Sequence, residues 1–116
     1  MLTESRAISV LGTDVGVVFR KESEDDKLVN MAGYYDSSKS EIVVKIFEPN
    51  ATSLGDLERY QKEILRHEII HAFLRESGVD ACSCPCDSWA TNEEMVDWLA
   101  IQSPKIFKLF EKEGLL

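Results

Sequence analysis

The sequence predicts an α+β fold, a small antiparallel or mixed sheet followed by helices, on three observations. The first half holds short β-branched runs separated by polar or glycine-containing breaks. The second half holds long stretches with apolar residues at helical spacing, opening on capping signals. The change falls at Pro49, so strands and helices are segregated along the chain rather than alternating. A length of 116 residues fits one domain over residues 1–116.

Taken in order, Ala7 to Leu11 is an apolar run that stops at Gly12-Thr13-Asp14, and Val15 to Arg20 resumes it. Ser23 to Lys27 reads as a charged turn or loop. Asn30 to Tyr35 and Glu41 to Phe47 flank the polar stretch Asp36 to Ser40, which is a hairpin signal. Ser53, with Asp56 three residues on, can open a helix running from about Leu54 to Ser77 and stopping at Gly78. Thr91-Asn92-Glu93-Glu94 reads as a capping box before Met95, Val96, Trp98, Leu99 and Ile101. Ser103-Pro104 then predicts a third, short helix with proline at its first position. Trp89 and Trp98 are expected to be packing residues.

Composition narrows the function. A net charge of -8 repels phosphate backbones, so nucleic acid is not expected as a partner. No apolar run approaches membrane-spanning length, and the first residues lack the basic start and apolar stretch of a signal peptide; a cytoplasmic protein is expected. Three cysteines, Cys82, Cys84 and Cys86, are an odd number at two-residue spacing, which argues against a disulfide framework. Reduced thiols, dispensable for any metal at the main site, are the simpler reading.

The chemistry lies in His67-Glu68-Ile69-Ile70-His71. On a helix, positions i and i+4 share a face, so both imidazoles can reach one ion. Zinc favours histidine nitrogen and tetrahedral coordination. Glu68 sits roughly 100° round the helix, which suits a base beside the ion rather than a ligand to it. These are the only two histidines in the chain, and apolar Ile64, Leu65, Ile69, Phe73 and Leu74 flank them. A catalytic zinc needs a third protein ligand and an open position. Glu93 and Asp97 are four apart on the next predicted helix. Glu93 can coordinate, and Asp97 can accept a hydrogen bond from the far nitrogen of a ligand histidine. Compensation of a helix N-terminus also explains acidic residues there; it fits Glu94 well, and Glu93 could serve the same way.

His-Glu-x-x-His followed by Asn-Glu-x-x-x-Asp, here Asn92 to Asp97, resembles the gluzincin pattern of thermolysin-type peptidases. With only 21 residues between His71 and Glu93, a hairpin beginning Ala32-Gly33-Tyr34, and Trp98-Leu99-Ala100 closing the second segment, the chain looks more like the compact ImmA/IrrE-like zincins. Those occur in phages and mobile elements, and some cleave repressors; a helix usual before their sheet is not evident here. The resemblance covers roughly residues 30 to 102. It implies a minimal zincin-like domain holding Zn2+ through His67, His71 and Glu93. It also implies a substrate lying extended along a sheet edge, for which the strand from Glu41 to Ile46 is the candidate.

The expected function is hydrolysis of peptide bonds in an intracellular protein by a metal-activated water, with Glu68 as general base. Tyr34, Tyr35, Tyr60, Arg66 and Arg75 are candidates to stabilise the oxyanion, and spacing does not choose among them. The alternative is a non-catalytic, metal-stabilised binding module on the same fold. A protein or peptide is the expected partner on either reading, and the oligomeric state is left open.

Overall fold

The computed structural model describes residues 1–49, 55–79, 92–112 and 116. The expectations placed on Ser53, Thr91, Trp89 and the three cysteines lie outside these residues. The elements are β1 (Arg6–Val10), β2 (Thr13–Lys21), β3 (Gly33–Asp36), β4 (Glu41–Ile46), α1 (Leu57–Glu76) and α2 (Glu93–Lys112). The charged stretch after β2 is not a plain loop. It forms two short 3-10 turns, Glu22–Glu24 and Asp26–Val29, the second opened by the Asp25 side chain accepting from the Lys27 N–H.

The fold is α+β: a four-stranded mixed sheet in the order β1-β2-β4-β3, with two helices. β1 and β2 form a tight antiparallel hairpin whose Leu11 and Gly12 both take positive φ, 50° and 87°. That backbone matches the twist of the flanking strands and suits glycine at the second position. β3 and β4 are the expected antiparallel hairpin, Gly33 facing Val44 and Asp36 facing Glu41. β4 also pairs in parallel with β2, so it is the interior strand of its half of the sheet. Its run Ile42-Val43-Val44 is buried on both faces, as an interior strand requires. β2 alternates instead, sending Val15, Val17 and Phe19 into the core with Val10, Ile42 and Val44.

α1 begins later than about Leu54. Its cap is Asp56, which accepts a hydrogen bond from the Arg59 N–H at 2.9 Å. Gln61, Leu65, Glu68 and Ala72 are buried, a 4-3-4 spacing that defines one face against the sheet. Two of the four are polar. Gln61 is fully buried and fully satisfied: its Oε1 accepts from the Leu2 N–H at 2.7 Å, and its Nε2 donates to the Leu2 and Lys45 carbonyls at 3.0 Å each. It therefore ties the N-terminal segment and β4 to α1 at little desolvation cost. α1 also lies very close to β3. A Cβ added to Gly33 would stand 2.7 Å from Ile64 Cγ2 and 2.8 Å from the Val43 carbonyl oxygen.

The expected third helix does not form. α2 runs unbroken from Glu93 to Lys112 with Pro104 inside it. Proline has no N–H to give the carbonyl four residues back, so the Ala100 carbonyl loses its helical partner. Arg66 of α1 takes that place, its Nε donating to the Ala100 oxygen at 2.6 Å. The proline is thus accommodated by a bond between helices rather than by a new helix start. Among the described residues of α2, Val96 and Ala100 are buried, while Trp98, expected to pack, is 56 % exposed.

The approach at Gly33 yields a test. Gly33→Ala forces either Ile64 or the β4 backbone to move, and overpacking of this kind costs typically ~1–3 kcal/mol. Chemical denaturation should show that loss; an unchanged midpoint would mean α1 does not rest on β3 as described.

Candidate metal centre

α1 and α2 meet where the sequence places its charged and imidazole groups. Leu65, Glu68 and Ala72 face the sheet, so His67 and His71 project from the adjoining flank of α1, toward α2. α2 starts at Asn92, whose side chain accepts from the Met95 N–H at 2.8 Å and whose carbonyl accepts from the Val96 N–H at 3.1 Å. Asn92, within the expected capping box, therefore holds the first turn, and Glu93 becomes the first helical residue. Asp97 follows one turn later on the same face.

The resulting geometry is tight. The His67 and His71 Nε2 atoms are 3.1 Å apart. The Glu93 carboxylate reaches both, at 3.2 Å from His67 Nε2 and 3.1 Å from His71 Nε2. The other nitrogen of His67, Nδ1, lies 2.6 Å from Asp97 Oδ1. A carboxylate can only accept, so this contact places a proton on His67 Nδ1 and, in the neutral ring, leaves the Nε2 lone pair facing Glu93 and His71. Lone pairs and a carboxylate converging at about 3 Å repel unless a cation, a proton or a metal ion, lies among them. Donor atoms ~2.0–2.1 Å from a tetrahedral ion stand ~3.3–3.4 Å apart, close to the spacing found. His67, Glu68 and His71 have potential ligand atoms within 4.8 Å of one another and could hold a metal ion.

Glu68 differs from the other acids. Its Oε1 is 3.8 Å from His67 Nε2, its side chain is 7 % exposed, and its Oε2 is buried with no hydrogen-bond partner. Burial pushes its carboxyl up from 4.5 to about 7; His67 opposes the shift, and Glu93 and Asp97 add to it. Gln61, on the same buried face, has every polar atom engaged. The unsatisfied oxygen therefore does not come from the helix face as such; it belongs to the site.

A cleft of about 470 Å³ opens over these groups, lined by Met31, Gly33, Tyr34, Tyr35 and Ser37 together with His67, Glu68, His71 and Glu93. Of the oxyanion candidates, only Tyr34 and Tyr35 reach it. Tyr60 packs its ring against Phe47, with centroids 5.3 Å apart, and Arg66 is engaged with Ala100. Arg75 does not line the cleft. The Tyr34 hydroxyl donates to Asp25, which is also bridged by Arg20 at 3.2 Å. Burial and the Asp25 bond push the Tyr34 phenol up to about 12, and the same bond is the main reason Asp25 stays below the usual carboxylate range. Tyr35 is on the other face of β3, packed against the core, with its hydroxyl shielded from solvent.

The expected docking strand requires correction. β4, Glu41–Ile46, is paired on both sides, with β2 and β3, so it has no edge to offer. The edge strand beside the cleft is β3. Sequence reading placed the edge wrongly because hairpin order along the chain does not say which strand a third one will join. It also missed Met31 and Ser37 at the cleft and the Arg20–Asp25–Tyr34 network, which join residues distant in sequence and carry no spacing signal.

Fold and site together define a small α+β protein with a candidate metal centre between two helices. No protein-family model matches the chain, and neither the curated proteins nor the solved structures gave a significant match.

The raised Glu68 carboxyl makes a prediction for the metal-free protein. The folded state holds this proton more tightly than the unfolded chain, so its contribution to stability is full below pH 4.5 and is lost as the pH rises through about 7. In chelator at pH 8, Glu68→Gln should melt above the wild type, and the difference should shrink toward zero near pH 4.5. A constant difference across that range would show that Glu68 is not buried as a carboxylate.

Proposed function

We propose that the protein is a zinc-dependent peptidase. One observation carries this reading: a buried carboxylate, Glu68, with an oxygen left unpaired at the floor of an open cleft, beside two imidazoles that converge with Glu93. A purely structural ion needs its ligands but has no use for a further buried, unsatisfied acid, which costs about 1–3 kcal/mol or more to leave there. Perturbed carboxyls in clefts are characteristic of acid–base sites.

His67, His71 and Glu93 would hold the ion, and the two-nitrogen, one-oxygen donor set suits zinc. Asp97 would orient His67 through Nδ1 and raise its basicity. When bound, zinc supplies Lewis-acid polarisation of a carbonyl and acidification of a water. Glu68 would accept the water's proton and return it to the leaving amine, a role for which a carboxyl poised near neutrality is suited. β3, as the edge strand bordering the cleft, would align an extended peptide by main-chain hydrogen bonds. Among the described residues no helix is long and apolar enough to cross a membrane, which agrees with a protein substrate met in solution.

The alternative, a metal-stabilised binding module, draws on the candidate ligands coming from both helices. An ion there would cross-link α1 to α2 whether or not it does chemistry.

Two measurements separate these readings. Elemental analysis should find about one zinc per chain, absent from His67→Ala and bound ~10–100-fold more weakly by Asp97→Ala. Comparison of new protein N-termini in a cell lysate should then show cleavage by the wild type, reduced ~10²–10⁴-fold in Glu68→Gln at equal zinc content. Equal zinc in wild type and His67→Ala would remove the site assignment. Zinc bound with no cleavage by the wild type would favour the binding module.

A further inference from the structure

We propose that the outer face of α2 is the contact surface of a two-fold dimer of this chain. Glu94, Trp98, Ile101, Lys105, Lys108 and Lys112 follow one another at three- and four-residue intervals, and every one is exposed. At 100° per residue they fall within an arc of about 80°, a single stripe of five turns and ~27 Å. Neither the metal centre nor the packing of α2 on α1 uses this face: those take Glu93, Val96, Asp97 and Ala100 from the adjoining one.

Three properties point to a second copy as the occupant. Its apolar part is open to solvent: Trp98 is 56 % and Ile101 39 % exposed. Among the described residues, Glu94, Lys105, Lys108 and Lys112 make no ion pair. Above all, the stripe is complementary to its own reverse. It is acidic at its start, apolar in the middle and basic toward its end.

An isologous interface requires a patch that fits itself after a half-turn. With the two-fold axis near Ile101, two antiparallel α2 helices set Glu94 of each copy opposite the second copy's Lys108 and Lys112. Trp98 then faces the second copy's Lys105, a cation–π arrangement, and the two Ile101 side chains meet at the centre. Parallel pairing would stack lysine on lysine. A chain of net charge -8 resists self-association in general. Collecting three lysines on the contact face offsets that repulsion where it matters. A helix pair of this length is at the small end of stable interfaces, so association on the order of micromolar is expected. The contact would also brace α2, which carries Glu93 and Asp97, but the proposal does not depend on any activity of the site.

Sedimentation of the full chain over a concentration series tests the proposal, with far-ultraviolet circular dichroism and a cooperative thermal transition confirming that each variant is folded. The wild type should move from 13.1 kDa toward twice that mass. The charge reversal Lys108→Glu with Lys112→Glu should weaken self-association at least about tenfold, the loss of roughly 1.4 kcal/mol. Adding Glu94→Lys to that pair should restore it, because the acid and base have exchanged places. Ile101→Glu, which leaves the helix ends untouched, should abolish association without this rescue. A wild type that stays monomeric at about 200 µM, well above the expected dissociation constant, would overturn the proposal. So would a dimer indifferent to the reversal and to Ile101→Glu, or a folded triple variant that fails to recover.

Discussion

The arrangement of the second half of the protein depends on one electrostatic requirement: a shared proton or a metal ion at the point where His67, His71 and Glu93 converge. Two imidazole nitrogens 3.1 Å apart and a carboxylate at 3.1–3.2 Å from both do not coexist as bare acceptors. A proton relieves part of that repulsion. A divalent ion relieves all of it and also neutralises the cost of keeping Glu68 and Asp97 nearby. The position of α2 against α1 is thus coupled to the protonation of these groups and to any ion bound among them. The Arg66–Ala100 bond and the burial of Val96 and Ala100 supply the remaining contacts of that interface described above.

The sheet makes this possible by presenting α1 at a fixed height and rotation. β4 is buried on both faces and supplies the flat apolar floor. Gly33 lets the helix approach β3 closely enough to shelter Glu68. Gln61 fixes the rotation, since its three hydrogen bonds to Leu2 and Lys45 can form only with that face turned inward. Seven residues further along, the same rotation brings Glu68 under the cleft. A structural amide and a candidate catalytic acid are therefore set by one geometric choice, and their difference in hydrogen bonding separates their roles.

Pro104 illustrates how a local signal is overridden. A proline after serine reads as a helix start because it removes a donor that a first turn does not need. Inside α2 the missing donor leaves Ala100 without its partner, and an arginine from another helix restores the bond. The carbonyl that the proline frees thereby becomes part of the helix–helix interface, which a reading of α2 in isolation has no means of finding.

The sequence by itself determined the α+β class, the β3–β4 hairpin, the long helix α1 and the start of α2, and His67, Glu68 and His71 as a group, because each follows from a period or a spacing within one element. It also singled out Glu93 and Asp97 by their four-residue separation, with helix-end charge as the competing explanation. Tertiary structure alone decided that Glu93 spans both imidazoles and Asp97 meets His67 Nδ1, since those distances join residues 22 to 30 positions apart. It likewise decided that β4 is interior and β3 the edge, that Tyr34 is engaged with Asp25, and that Trp98 faces outward. The physical reason is the same in each case. Periodicity states which side of an element is apolar, whereas the partner that covers that side is chosen by packing between elements, and no single stretch of the chain encodes it.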